Sequence, residues 1–141
     1  MAYLTWDAAH DTGIPGIDYE HRQLVQMLND IHELIMKRAE PLRIADRLAD
    51  LYTLATAHFA LEEKIMRDQK YPGLEERRDI HYRLLEQVRE IMDAYETGSY
   101  QSSESLPATL KQWLSEAMDV DAKLFAELGD VKLRTWGLRR A

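Results

Sequence analysis

A chain of 141 residues with 45% apolar content is long enough for one domain with a real core and is not disordered. Its formal net charge of -7 excludes a general binder of nucleic acid or of an anionic membrane, since either would need a basic face. Without cysteine, disulfides, thiolate metal sites and cysteine nucleophiles are ruled out.

The N-terminus has no basic start followed by an apolar stretch, and no run approaches the roughly 18 apolar residues of a membrane span, so a cytoplasmic location is expected. Residues 1–17 hold Trp6, Gly13, Pro15 and Gly16, which break regular structure and read as an arm over the domain, anchored by Trp6. From Asp18, a candidate N-cap, His21, Leu24, Leu28, Ile31 and Ile35 recur at steps of three and four, the seam of an amphipathic helix. A second helix runs from about Pro41 to Asp68 on Ile44, Leu48, Leu51, Ala55, His58, Glu62 and Ile65.

Tyr71-Pro72-Gly73 breaks the chain before a third helix, from about Leu74 to Thr97, with Leu74, Arg77, His81, Leu84, Val88, Ile91 and Tyr95 on its seam. Gly98 closes it, and Pro107 suits the first turn of a fourth. Leu110, Leu114, Ala117, Asp121, Leu124 and Leu128 form the last stripe. No alternating Val/Ile/Thr-rich run competes. The expected fold is all-α, an up-down-up-down four-helix bundle over 18–128 with an N-terminal arm. The tail 129–141 mixes Lys132, Arg134, Arg139 and Arg140 with Trp136 and Leu138, and reads as a packed or frayed end or a basic docking segment.

Each stripe is interrupted by polar residues: His21, then His58 with Glu62, then His81, then Asp121. His58 and Glu62 stand four apart, so imidazole and carboxylate share one helix face and can converge on one ion, a donor set suited to iron, manganese or zinc. A carboxylate buried without a partner would cost several kcal/mol or be protonated. In an antiparallel bundle all five polar residues fall at one end, where they make either a metal site or a cluster of buried ion pairs.

These residues resemble the hemerythrin family, in particular its single-domain bacterial members. The resemblance rests on Trp6, on the Gly-Ile-x-x-Ile-Asp-x-x-His pattern from Gly13 to His21 with Asn29 after it, and on His58-Phe59-x-x-Glu62-Glu63-x-x-Met66. Tyr71-Pro72, Trp113-Leu114 and Asp121 continue it, over about residues 3–128. It implies a four-helix bundle with a bridged di-iron centre, held by five histidines and two bridging carboxylates, that binds dioxygen at one open iron position.

The implied ligands carry over unevenly. His21 and His58 match the histidines of one iron, and Glu62 and Asp121 match the bridging carboxylates. Of the three histidines on the other iron only His81 is present, while the earlier third-helix histidine falls on Arg77. The fourth-helix histidine falls on Ala117 counted from Trp113, or on Glu116 counted back from Asp121, and Val120, Lys123 and Leu124 favour the Asp121 anchor. Arg77 offers no lone pair to a metal. It is expected to pair with a carboxylate and to cap or displace the second ion, leaving a single-metal site or an asymmetric dimetal site that includes Glu116.

The expected function is non-haem iron binding with dioxygen, nitric oxide or peroxide as small ligand, in storage, delivery or sensing. An iron enzyme that activates dioxygen or peroxide and a metal-free interaction module are the alternatives. His10 reads as exposed, His32 as packing, Glu63 as a surface residue or one that supports the ligands, and the methionines as core filling.

Overall fold

The computed structural model describes residues 12–97 and 105–127. They form α1 (Pro15–Met36), α2 (Pro41–Asp68), α3 (Leu74–Glu96) and α4 (Ser105–Glu127), with no strand among the described residues. α1 and α3 each pack on both α2 and α4, so the helices close a ring around one interior. The short turns at 37–40 and 69–73 make sequence neighbours antiparallel, as in an all-α four-helix bundle. Trp6, His10 and the tail 129–141 lie outside the described residues.

The helices form because the apolar stripes can be buried together. On α2, Ile44, Leu48, Leu51, Ala55, His58, Glu62 and Ile65 are all buried, and on α4 so are Leu110, Leu114, Ala117, Asp121 and Leu124. Each large aliphatic side chain buried in this way contributes about 1.5–3 kcal/mol. Pro15 and Pro41 open α1 and α2, where the missing N–H has no helical partner to lose.

α1 begins at Pro15, earlier than the sequence suggested, and Asp18 is not its N-cap. Ile14 occupies that position with extended backbone, and Asp18 lies inside the first turn. Its carboxylate instead reaches back, accepting from the Thr12 N–H at 2.8 Å, the Thr12 hydroxyl at 2.9 Å and the Gly13 N–H at 3.3 Å. Gly13 turns the chain there at φ +83°, a conformation glycine adopts without strain. The segment before α1 is thereby tied to the helix that carries His21.

α1 and α2 end in the same way. Arg38 and Lys70 each adopt φ +54° just past the helix, and the next residue donates its N–H back across the last turn, from Ala39 to Leu34 O and from Tyr71 to Met66 O, both at 2.9 Å. Together with the bonds from Arg38 to Ile35 O and from Lys70 to Arg67 O, this is the Schellman pattern, built here without glycine.

The interior is divided. A large apolar cluster from Leu24 and Ile31 through Leu51, Phe59 and Val88 to Trp113 and Met118 fills most of the bundle. A smaller one of Ile14, Ile17, Ile65, Met66, Leu124 and Phe125 closes the end near the starts of α1 and α3. Between them lies a polar layer.

Candidate metal centre

That layer consists of His21 on α1, His58 and Glu62 on α2, His81 on α3 and Asp121 on α4, each at most 2% exposed. The antiparallel order brings them to one level, because His21 and His81 lie near helix starts whereas Glu62 and Asp121 lie near helix ends. Asp121 Oδ2 lies 2.8 Å from His21 Nε2 and 3.2 Å from His58 Nε2. Glu62 Oε2 lies 3.1 Å from His58 Nε2 and 3.9 Å from His21 Nε2. One donor atom from each of these four residues falls within 4.8 Å of the other three. An ion about 2.0–2.2 Å from each donor would place adjacent donors about 3 Å apart, close to these separations.

The other face of Glu62 looks elsewhere: its Oε1 lies 3.2 Å from His81 Nε2. His81 stacks on Phe59, with ring centroids 4.2 Å apart and planes 8° from parallel. Its Nδ1 lies 2.9 Å from Glu63 Oε2, and Glu63 in turn lies 3.6 Å from Arg78. His58 is held likewise, its Nδ1 2.8 Å from Glu20 Oε1. A neutral imidazole that donates from Nδ1 to these outer carboxylates keeps its Nε2 lone pair aimed inward, as metal-binding histidines require. Glu63 thus supports a histidine, as one of its two expected roles had it. Glu20 was not singled out in the sequence, where its only signal was adjacency to His21.

The layer does not satisfy itself. Both oxygens of Glu62, Asp121 Oδ1 and His81 Nε2 are buried with no aligned hydrogen-bond partner. Buried acceptors in this condition cost free energy unless something binds them. Without a cation the layer must borrow protons. Burial and the charge of Asp121 raise the Glu62 carboxyl to about 7, against the opposing effect of His58. Burial lowers the His58 pKa, but Glu62, Asp121 and Glu20 overcome it and push the imidazole up to about 12. Burial would raise Asp121, yet the proximity of the Glu62 carboxyl and its hydrogen bonds to His21 and His58 hold it well below the usual carboxylate range. For His81, burial is again outweighed by Glu62 and Glu63, and its pKa is raised.

Imidazole nitrogens and carboxylate oxygens with orphaned lone pairs fit a divalent first-row metal. His21, His58, Glu62 and Asp121 would hold one, and the ion would supply an open coordination position and redox chemistry. The chain's own part is to orient Nε2 atoms through Glu20 and Glu63, and to exclude water with the two flanking apolar clusters.

One expectation changes at the fourth helix. Glu116 is exposed, with its Oε1 3.5 Å from Gln112 Nε2, while Ala117 is 3% exposed and faces the interior. The count from Trp113 therefore describes the inner face, and the count that put Glu116 there does not. Arg77 is half-buried near the start of α3, one turn before His81. His32 is half-buried and lies three turns beyond His21, about 16 Å along α1 from the layer.

The family described as Hemerythrin HHE cation binding domain matches residues 12–128. A bacteriohemerythrin of Stenotrophomonas maltophilia (strain R551-3) is 31% identical over 129 residues, covering 90% of this chain and 82% of that protein. A bacteriohemerythrin of Pseudomonas aeruginosa (strain LESB58) is 32% identical over 114 residues, covering 81% and 73%. A myohemerythrin of Riftia pachyptila is 29% identical over 109 residues, covering 77% and 79%. A match running through all four helices, with relatives above 30% identity over most of both chains, places this chain in the hemerythrin family of non-haem iron-binding proteins.

Proposed function

We propose that this chain binds iron in the polar layer and uses it to bind dioxygen or a related small ligand, such as nitric oxide or peroxide, in storage, delivery or sensing. The observation that carries this reading is the set of four buried donors, His21, His58, Glu62 and Asp121, with one atom each within 4.8 Å of the others. A group so dry, in which both oxygens of Glu62 and Asp121 Oδ1 lack aligned hydrogen-bond partners, is costly as an apo cluster and suited to a cation. No described helix is long and apolar enough to cross a membrane.

The donor set departs from a five-histidine site by being richer in carboxylate. Two imidazoles with carboxylates resemble non-haem iron sites that activate dioxygen, so turnover is the second reading. The test is iron-loaded protein followed by its visible spectrum under argon, air and nitric oxide, with oxygen consumption measured in parallel. A spectrum that changes with the gas and returns on degassing supports carriage or sensing. Sustained consumption of dioxygen or peroxide supports an enzyme, and a spectrum indifferent to every gas sinks the small-ligand reading.

A further inference from the structure

Away from the polar layer, α3 and α4 are the most loosely joined neighbours of the bundle. The Trp113 indole N–H donates to Leu84 O at 2.8 Å, and the Trp113 ring lines, with Ile91 and Ala94, a groove of about 410 Å³ between the two helices. Ile91 and Trp113 are buried and form its apolar floor. Glu90 on α3 and Glu116 on α4 stand exposed at its rim, and no cation lines it among the described residues. Neither acid pairs with a cation there, and Glu116 meets only Gln112, at 3.5 Å.

The groove at the α1–α2 turn is different. Its acids are already paired, Asp30 with Arg47 and Glu33 with Lys37, and it lies at the opposite end of the bundle from the end of α4. An apolar floor between two unpaired carboxylates suits a segment with an aromatic body and basic flanks. The chain supplies one itself. After α4, Trp136 and Leu138 stand between Lys132 and Arg134 on one side and Arg139 and Arg140 on the other, with Asp130 the single acid, in a protein whose net charge is -7. Gly129 is the residue type at which a helix most readily ends and the chain reverses. Reach is sufficient: from Glu127 back to Glu116 and Thr109 is about 16 and 27 Å along α4. An extended segment from Leu128 to Trp136 spans up to about 30 Å.

We infer that residues 130–140 fold back along α4 and occupy the α3–α4 groove of the same molecule, with the Trp136 indole on Ile91 and Trp113 and the basic flanks at Glu90 and Glu116. Exposed ion pairs contribute little, so the indole supplies most of the hold and the two acids select the segment that sits there. The strap covers the loosest seam of the bundle and steadies α4, the helix that carries Asp121. It stands independently of the metal reading.

Paramagnetic broadening in the full chain tests this. Because the chain has no cysteine, Thr135→Cys gives a single site for a nitroxide beside Trp136. A diamagnetic analogue of the label serves as reference, so that broadening from any bound iron cancels. The expected result is loss of the amide signals of Glu90, Ile91, Gln112 and Glu116, with those of Ala39 and Arg43 at the α1–α2 turn retained. Trp136→Ala, and separately Glu90→Lys with Glu116→Lys, should restore the lost signals, and circular dichroism checks that each variant keeps its helices. Labelled chain without nitrogen-15 mixed with unlabelled nitrogen-15 chain should show no broadening. Broadening in that mixture would overturn the inference in favour of a second copy seated in the groove. Broadening nowhere on the bundle, or only after anionic phospholipid vesicles are added, would overturn it in favour of a segment that docks elsewhere. Groove signals that stay broadened in both variants would overturn the assigned contacts.

Discussion

Glu20 and Glu63 flank the polar layer, yet each decides what a buried histidine presents to it. Glu20 lies 2.8 Å from His58 Nδ1 and Glu63 lies 2.9 Å from His81 Nδ1. If the outer carboxylate orients the ring and raises its basicity, Glu20→Ala is expected to weaken ferrous-iron binding roughly 10–100-fold. Glu63→Ala acts on His81, which stands outside the four-donor group, and should weaken it less; calorimetry on the two variants checks the order. An equal effect of both variants would mean that the outer carboxylates act only through overall charge. Phe59, 2% exposed and stacked on His81, makes the complementary case of a residue that acts by packing. Phe59→Ala should cost about 3–5 kcal/mol in chemical denaturation of the apo protein.

Among the helices, α1 and α2 end on non-glycine residues in a left-handed conformation, Arg38 and Lys70, both at φ +54°. An L-residue there carries a steric penalty of about 1–2 kcal/mol, part of which glycine returns as unfolded-chain entropy. Lys70→Gly is therefore expected to stabilise the bundle by about 1 kcal/mol, read as a higher denaturation midpoint at unchanged slope. Tyr71, the next residue, packs against the apolar cluster that closes the end beside the polar layer, so a tighter turn should leave iron binding unaltered. Gly73 is a different matter. A methyl group there would lie 2.6 Å from the Tyr71 ring, so the ring must move before Gly73→Ala can fold.

For the whole molecule, the apo and metal-bound forms should respond to pH in opposite directions. Glu62 is raised to about 7 in the folded apo chain, so between its unfolded value of 4.5 and 7 the folded state holds a proton that the unfolded state has lost. His58, raised to about 12, adds the same sign from 6.5 upward. Asp121, lowered in the fold, contributes stability above its unfolded value of 3.8, and that contribution is already complete near pH 5. The apo protein should thus be most stable near pH 5 and lose stability as pH rises to 8. Metal affinity should rise over the same range, because the ion must displace the protons on His58 and Glu62. Thermal melts with ferrous iron and with chelator, at pH 5.5, 6.5 and 7.5, should therefore show a gap that widens with pH. A gap that is absent at every pH after verified loading would rule out a folded-state metal site.

The sequence by itself determined the all-α bundle and its inner polar residues. Steps of three and four, and the polar residues that interrupt them at His21, His58, Glu62, His81 and Asp121, depend only on helical periodicity. That periodicity is local, and it was legible together with the family's motifs. Glu20 and Glu63 were harder to see because they sit at the flanks of the stripes, where reaching a histidine on a neighbouring helix depends on interhelical rotation and offset. The choice between Glu116 and Ala117 depended on the same quantity. One residue turns a helix by about 100°, and the two landmarks, Trp113 and Asp121, gave conflicting counts. Only the packing of α4 on α3, with Trp113 bonded to Leu84 O, decided that Ala117 faces inward and Glu116 faces water. The start of α1 at Pro15 was decided in the same way, because the backward hold of Asp18 on Thr12 and Gly13 is a contact of the folded loop, whereas spacing alone offered Asp18 as a cap.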